Sequence, residues 1–110
     1  MENYNEIKKY DWGTFYYLDD ELHRLDGPAK EYANGDKYWF QNGLLHRIGG
    51  PAKEYSNGRK EWWFEGKRHR ADGSAIEYAD GTNFWYYEGE KIYCNSQKEF
   101  ERLIKLKLFW

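Results

Sequence analysis

The chain has 110 residues, of which 21% are Phe, Trp or Tyr and 33% are charged, and its formal net charge is −2. This length allows one modest hydrophobic core, and the many rings argue against disorder despite a mean hydropathy of −1.12. The small net charge excludes a global excess of one sign, and the single Cys94 excludes an intrachain disulfide. With no apolar run long enough to cross a bilayer and no leader pattern, we expect a cytoplasmic protein.

One stretch of the sequence occurs three times at a step of 23 residues. LHRLDGPAKEYANG, beginning at Leu22, returns as LHRIGGPAKEYSNG from Leu45 and as RHRADGSAIEYADG from Arg68. A half copy, Phe15 to Leu18, opens the array. Such periodicity indicates a repeat architecture, in which each unit buries its apolar side chains only against its neighbours.

Each repeat carries the signature of a β-hairpin. In the first full copy the strand PAKEY leads through Asn34-Gly35 into the strand DKYWFQ, and NGLLHRIGG links it to the next copy. Asn-Gly or Asp-Gly between alternating aromatic segments is a strong hairpin signal. We therefore predict an all-β repeat: stacked antiparallel β-hairpins over residues 11–93, forming an elongated, twisted, single-layer sheet.

The last segment of the chain differs, because the glycines stop after Asn95. Ser96 and Glu99 have capping-box spacing, so we predict a short helix over residues 96–108 that caps the array. We treat residues 1–110 as a single domain. An alternative for the tail is that Leu106 to Trp110 form an exposed apolar hook for a partner.

The pattern NGDKYWFQNGLLHRIGG, within Asp11 to Ile92, resembles the 23-residue MORN repeat. The chain departs from that family by placing Arg after each His and by its Asp-Gly-Pro-Ala element, so it is similar to a divergent His-Arg-x-Asp-Gly-Pro-Ala version found in small bacterial and bacteriophage proteins. The resemblance implies a sheet of stacked hairpins used as a scaffold or interaction surface, in some members near membranes. It implies no catalytic residues.

A two-residue loop at Asn34-Gly35 would pair Tyr32 with Lys37 and Lys30 with Trp39, and paired residues share a face of the sheet. One predicted face then interleaves rings with lysines: Tyr32, Tyr55, Tyr78, Trp39, Trp62, Trp85, Lys30, Lys37, Lys53 and Lys60. The other predicted face is acidic, with Glu31, Glu54, Glu61 and Glu77, and it also carries Tyr38 and Arg59.

The lysine–aromatic face admits three interpretations. Lysine stems can simply shield the rings. The face can bind a protein, since Trp and Tyr dominate interface hot spots, or it can bind single-stranded nucleic acid by stacking bases. The acidic row suggests a phosphate mimic, but equivalent residues two strands apart lie ~9.5 Å apart, so we prefer solvated carboxylates.

The aligned His23, His46 and His69 do not predict a metal site, because strands ~9.5 Å apart keep their rings from converging on one ion. A feature copied in every repeat is more simply structural. We expect imidazole and guanidinium groups to satisfy the backbone at each bend, with Asp26 and Asp72 as partners. No nucleophile elbow, P-loop or paired-Cys motif occurs, so we predict no enzyme activity and no cofactor.

The sequence therefore favours a non-catalytic protein-binding module. On the resemblance, it is a bacteriophage-encoded inhibitor of a bacterial defence protein, such as an anti-CRISPR-like blocker of a host nucleic-acid-targeting complex. Alternatives are single-stranded nucleic-acid binding and a peripheral membrane or scaffold role. An unpaired sheet edge at Phe15 to Leu18 would also allow a homodimer.

Overall fold

The protein is an open antiparallel sheet followed by one short helix, which confirms the predicted fold class. The structure, a computed structural model, describes residues 2–108, excluding the Leu108 side chain. Part of the predicted hook, Phe109 and Trp110, lies outside these residues. The described chain measures 45 × 32 × 17 Å along its principal axes, so it is elongated and thin.

The main sheet crosses every repeat, and its strands follow the chain order. Neighbouring strands pair antiparallel throughout. The strands are Glu6–Tyr10 (β1), Gly13–Leu18 (β2), Glu21–Leu22 (β3, paired with β2), Lys30–Tyr32 (β4), Lys37–Tyr38 (β5), Lys53–Glu54 (β8), Lys60–Glu61 (β9), Ile76–Glu77 (β12), Asn83–Tyr87 (β13) and Glu90–Ile92 (β14).

Each repeat also makes a second, smaller hairpin that extends beyond the main sheet. These hairpins are Phe40–Gln41 (β6) with Leu44–Leu45 (β7), and Trp63–Phe64 (β10) with Lys67–Arg68 (β11). Backbone bonds connect them in a row, because Gly43 N–H donates to Leu22 O and Gly66 N–H donates to Leu45 O, at 2.9 and 2.8 Å. One repeat is thus two hairpins, not the one hairpin and linker that the sequence suggested.

The loop at Asn34-Gly35 is one residue longer than predicted. Tyr32 N–H donates to Asp36 O at 2.9 Å, and Gly35 N–H donates to Tyr32 O at 3.0 Å. The loop is therefore Ala33-Asn34-Gly35, with Gly35 at φ +99° as the bulge residue. The observed pairs are Lys30 with Tyr38 and Glu31 with Lys37, so the predicted register was wrong by one residue.

The two-residue loops lie in the second hairpins instead. Asn42-Gly43 has φ +51° and +79°, and Glu65-Gly66 and Glu88-Gly89 repeat this geometry. Positive φ at both central residues defines the type I′ turn, whose twist matches that of its flanking strands. Asn-Gly therefore occurs in two turns of different length within one repeat.

The two ends of the sheet are closed differently. Strand β2 pairs with β1 on one side and with β4 on the other, so Phe15 to Leu18 is not the unpaired edge that we predicted. The outermost strand is β1, and all of its residues are exposed. At the other end lies the helix Gln97–Leu108 (α1), close to the predicted bounds, with Phe100 fully buried. Gln97 Nε2 of this helix donates to Ala71 O in the last repeat at 3.2 Å.

Candidate binding faces

The shifted register redistributes the predicted site residues between the two faces of the sheet. Side chains alternate along a strand and paired residues share a face. Lys30 and Tyr32 therefore share a face with Tyr38, whereas Lys37 and Trp39 lie on the opposite face. The lysine–aromatic face, as predicted, does not exist; its members form two surfaces of different chemistry.

The first surface, which we call the tyrosine face, is a chain of ring contacts running along the main sheet. It begins with Tyr10 stacked on Trp12, ring centroids 5.1 Å apart, and continues through Phe15. The following neighbours meet at centroid distances of 5.5–5.6 Å: Phe15 to Tyr32, Tyr32 to Tyr38, and Tyr38 to Tyr55. Arg59 bridges Tyr55 and Tyr78 at 5.3 and 4.9 Å, and Tyr78 meets Phe84 at 6.0 Å.

Cations cover part of the tyrosine face. Lys53 Nζ lies 5.1 Å from the Tyr38 ring centre, and Lys91 Nζ lies 4.4 Å from that of Phe84. Burial, and then the charge of Lys53, lowers the pKa of Lys30. Burial and a hydrogen bond with Tyr55 raise the pKa of Tyr38, which keeps its hydroxyl protonated. The face is therefore aromatic and cationic.

Glu61 is the buried carboxylate beneath this surface, and it is not part of an acidic solvent-facing row. Its side chain is 1% exposed and pairs with Arg59 Nη2 at 2.6 Å and Arg68 Nε at 3.4 Å. Trp63 Nε1 also donates to it, at 2.9 Å. Because a buried carboxylate without partners would be costly, these three donors satisfy the Glu61 oxygens within the sheet.

The second surface, which we call the charge-ladder face, alternates sign from strand to strand. Every cross-strand pair in its central row joins a glutamate to a lysine, and such pairs stabilise a sheet by ~0.2–1 kcal/mol each. The row runs Glu31, Lys37, Glu54, Lys60, Glu77. The glutamates therefore alternate with lysines and do not form the segregated acidic face that the sequence suggested.

The repeated arginines stand beside that row, each held from several sides. Arg47 lies 3.9 Å above the Trp39 ring, and a Cβ on Gly50 would come within 2.9 Å of its Cζ. Its Nη1 donates to Pro51 O and to Glu54 Oε1, at 3.1 and 3.2 Å. Arg24 on Tyr16 and Arg70 on Trp62 are held in the same way.

The arginines neutralise the carboxylates that we considered as phosphate mimics. Glu31, Glu54 and Glu77 each accept a hydrogen bond from the arginine seven residues earlier, at 3.0–3.2 Å. In the outer repeats, Arg24 and Arg70 also donate through Nε to Asp26 and Asp72. The predicted partnership of arginine, bend carbonyl and aspartate is confirmed at those two bends.

The histidines link one repeat to the next. His23 Nδ1 accepts the backbone N–H of Asn42 at 2.9 Å, and His46 and His69 accept those of Glu65 and Glu88 at 3.0 and 2.8 Å. These N–H groups belong to the first central residue of each type I′ turn, where no strand carbonyl accepts them. The predicted backbone role of the imidazoles is confirmed. Within residues 2–108, no three His, Cys, Asp or Glu side chains are grouped as metal ligands would be.

Two of the three tryptophans that the sequence singled out lie under arginines, and the three do not form an open surface. Trp39 and Trp62 are half-buried under Arg47 and Arg70, and Trp85 is 8% exposed. Trp85 Nε1 donates to Gln97 Oε1 at 2.9 Å, so α1 covers the last ring of the series.

Sequence reasoning missed the residues that complete the tyrosine face. Tyr10 and Trp12 are 49% and 57% exposed, but Tyr10 precedes the predicted array. Tyr38 was assigned to the acidic face by the register error, and Arg59 with it. The Asn side chain holds each of these longer loops, because Asn34 Oδ1 accepts Asp36 N–H at 2.9 Å and Asn57 Oδ1 accepts Arg59 N–H at 3.0 Å. The sequence alone does not distinguish this Asn-Gly from that of the second turn.

No protein-family model, no curated protein and no solved structure matches this chain. In the described part of the chain, α1 is the only helix, and no helix has the length and apolar character needed to cross a bilayer.

Proposed function

We propose that this protein is a non-catalytic module that binds another protein through the tyrosine face. The observation that supports this most is the series of ring–ring contacts from Tyr10 to Tyr55, which Arg59 extends to Tyr78 and Phe84 across the main sheet. Tyr, Trp and Arg are enriched at interface hot spots, and the two aromatic residues bury a large area at a small cost in conformational entropy. Repeating the hairpin lengthens such a surface without requiring a new local structure.

The exposed end of the face is its most available anchor. Tyr10 and Trp12 stack on each other next to Phe15, and both keep about half of their surface in water. Farther along, the rings are half-buried and held edge to face, so they form a preorganised platform that loses little freedom on binding. The cations above them favour a partner that presents carboxylates around an apolar patch.

The resemblance to MORN-type repeats of small bacterial and bacteriophage proteins suggests the class of partner in the same proposal. That partner is a bacterial protein that the module occupies and blocks, for example a defence enzyme acting on nucleic acid. A thin, plate-shaped protein can act by binding its partner tightly and obstructing it, because this role needs no catalytic group.

A pull-down from nuclease-treated bacterial lysate tests the proposal. The bait is the tagged chain, and its matched variants are Tyr10→Ser/Trp12→Ser on the tyrosine face and Lys37→Ser/Lys60→Ser on the charge-ladder face. We expect one dominant protein, retained by the unchanged chain and by the lysine variant and lost by the aromatic variant. Circular dichroism establishes that both variants fold. Equal retention by both variants would refute the role of the tyrosine face.

Single-stranded nucleic acid is a second candidate, favoured by the cations that lie on this face. Lys30, Lys53 and Arg59 all lie among the rings, and Glu61, the carboxylate between them, is buried. Against it, the rings meet edge to face with cations over several of them, which leaves few free faces for bases. Binding of this kind would weaken steeply with salt, whereas a largely apolar protein interface would not.

A further inference from the structure

The central repeat lacks a carboxylate that both of its neighbours have. In the outer repeats, Arg24 Nε donates to Asp26 Oδ1 at 2.9 Å and Arg70 Nε donates to Asp72 Oδ1 at 3.0 Å. The equivalent position after Arg47 is Gly49. Within residues 2–108, Arg47 donates only through Nη1, so its Nε–H has no acceptor there. Its side chain is 31% exposed, against 17% and 20% for Arg24 and Arg70.

We propose that the Nε edge of Arg47 is a binding site for a carboxylate from another molecule, an Asp or Glu side chain of an acidic protein segment. The chain itself shows which group fits, because the same edge of the same guanidinium holds an internal carboxylate in two of three repeats. Charge-assisted bonds from arginine to carboxylate are among the stronger hydrogen bonds in proteins.

The guanidinium is already positioned for this contact. It is clamped between the Trp39 ring, 3.9 Å away, and Gly50, and Glu54 holds its Nη1. A ligand therefore does not have to order a flexible arginine, which lowers the cost of binding. A lysine at this position would carry the same charge, but its flexible side chain would not present a fixed N–H edge to the ligand.

The surroundings leave room for a ligand and supply an apolar contact. A Cβ built on Gly49 meets nothing within 4 Å. Ile48, next to it, is 79% exposed, and Leu25 is 41% exposed in the same shallow cavity. Arg24 and Asp26 also line this cavity, but they pair with each other. Of the two arginines in the cavity, Arg47 is therefore the one whose Nε–H has no acceptor within the described residues. The site lies on the charge-ladder face and does not depend on the proposed function of the tyrosine face.

An NMR titration that follows the arginine Nε–H signals tests the proposal. Sodium acetate is the probe, and sodium chloride at equal ionic strength is the reference. We expect acetate to produce a saturable shift at Arg47, with Arg24 and Arg70 unchanged because Asp26 and Asp72 already occupy their Nε groups. The absence of a saturable shift at Arg47, or equal shifts at all three arginines, would overturn it. A stronger response to inorganic phosphate than to acetate would overturn the assignment to a carboxylate.

Two variants at one position give a second, independent arm. Gly49→Asp should supply the missing carboxylate internally and abolish the acetate response, whereas Gly49→Asn, of the same size and uncharged, should keep it. Gly49 is at φ +84°, whereas Asp26 and Asp72 are not at positive φ, so Gly49→Asp reproduces their pairing only if this bend adopts the backbone of the outer two. Asp and Asn both tolerate positive φ better than most residues, so Asn remains the matched control. A Gly49→Asp protein that responds like the unchanged chain would contradict the equivalence of the three bends. If Gly49→Asp does not fold, the titration of the unchanged chain decides alone.

Discussion

His46 accepts a hydrogen bond through Nδ1 from the backbone N–H of Glu65, 3.0 Å away in the next repeat. His23 and His69 make the same bond to Asn42 and Glu88. A residue of one repeat thus satisfies the turn of the following one. This explains why the histidine recurs with the turn: removing either leaves the other without a partner.

His46→Leu should lower the free energy of unfolding by about 1–3 kcal/mol more than His46→Asn, because leucine leaves the Glu65 N–H unsatisfied whereas asparagine offers an oxygen near the position of Nδ1. Urea denaturation of both variants measures the difference. Equal losses of stability would mean that His46 stabilises the protein through ring packing on Phe64, with centroids 4.6 Å apart, and that the hydrogen bond contributes nothing.

Gly73→Ala should destabilise the protein by about 1–3 kcal/mol, because the new Cβ would stand 2.5 Å from Arg70 Cζ and displace the guanidinium from Trp62. The matched measurement is a double-mutant cycle with Arg70→Ser. In that background the same glycine substitution should cost much less, since the clashing group is gone. A cost that does not change with residue 70 would show that the backbone, not the arginine, requires glycine here.

Glu65→Asn should raise the free energy of unfolding by about 0.5–2 kcal/mol, because asparagine tolerates the positive φ of this type I′ turn position better than glutamate does. Asn42→Glu, the reverse change at the equivalent turn, should lower it. Thermal unfolding of the two variants supplies the comparison, and shifts in the same direction would contradict the turn assignment.

Asp26→Asn should destabilise the protein near neutral pH but not in strong acid. Hydrogen bonds from Arg24 and then Asn3 hold the pKa of Asp26 below its ordinary value. A depressed carboxyl pKa contributes stability that is present above the unfolded-state pKa, about 3.9, and is lost as the pH falls through the folded-state value. Urea unfolding at a series of pH values should therefore show the two proteins converging in acid. A difference independent of pH would contradict the ion pair.

Much of the fold follows from the sequence because it repeats. The period of 23 residues, the glycine-marked turns and the Ser96–Glu99 spacing predict hairpins and a terminal helix, and the structure has both. Ser96 Oγ accepts Glu99 N–H at 3.1 Å, as a capping residue should.

The sequence did not predict which side chains share a face, because that depends on whether the loop has two residues or three. Asn34-Gly35 and Asn42-Gly43 read alike, yet the first belongs to a bulged three-residue loop and the second to a two-residue turn. In a strand, a shift of one residue moves every side chain to the other face. The error therefore exchanged Tyr38 for Trp39 on the candidate surface, while the strand assignments survived.

The most direct test of the tyrosine face is the dissociation constant of the captured protein, measured for the unchanged chain and the two matched double variants. We expect Tyr10→Ser/Trp12→Ser to weaken binding by about tenfold or more, because it removes the exposed aromatic anchors, and Lys37→Ser/Lys60→Ser to leave it nearly unchanged. An unchanged dissociation constant for the aromatic variant, or a loss confined to the lysine variant, would contradict it.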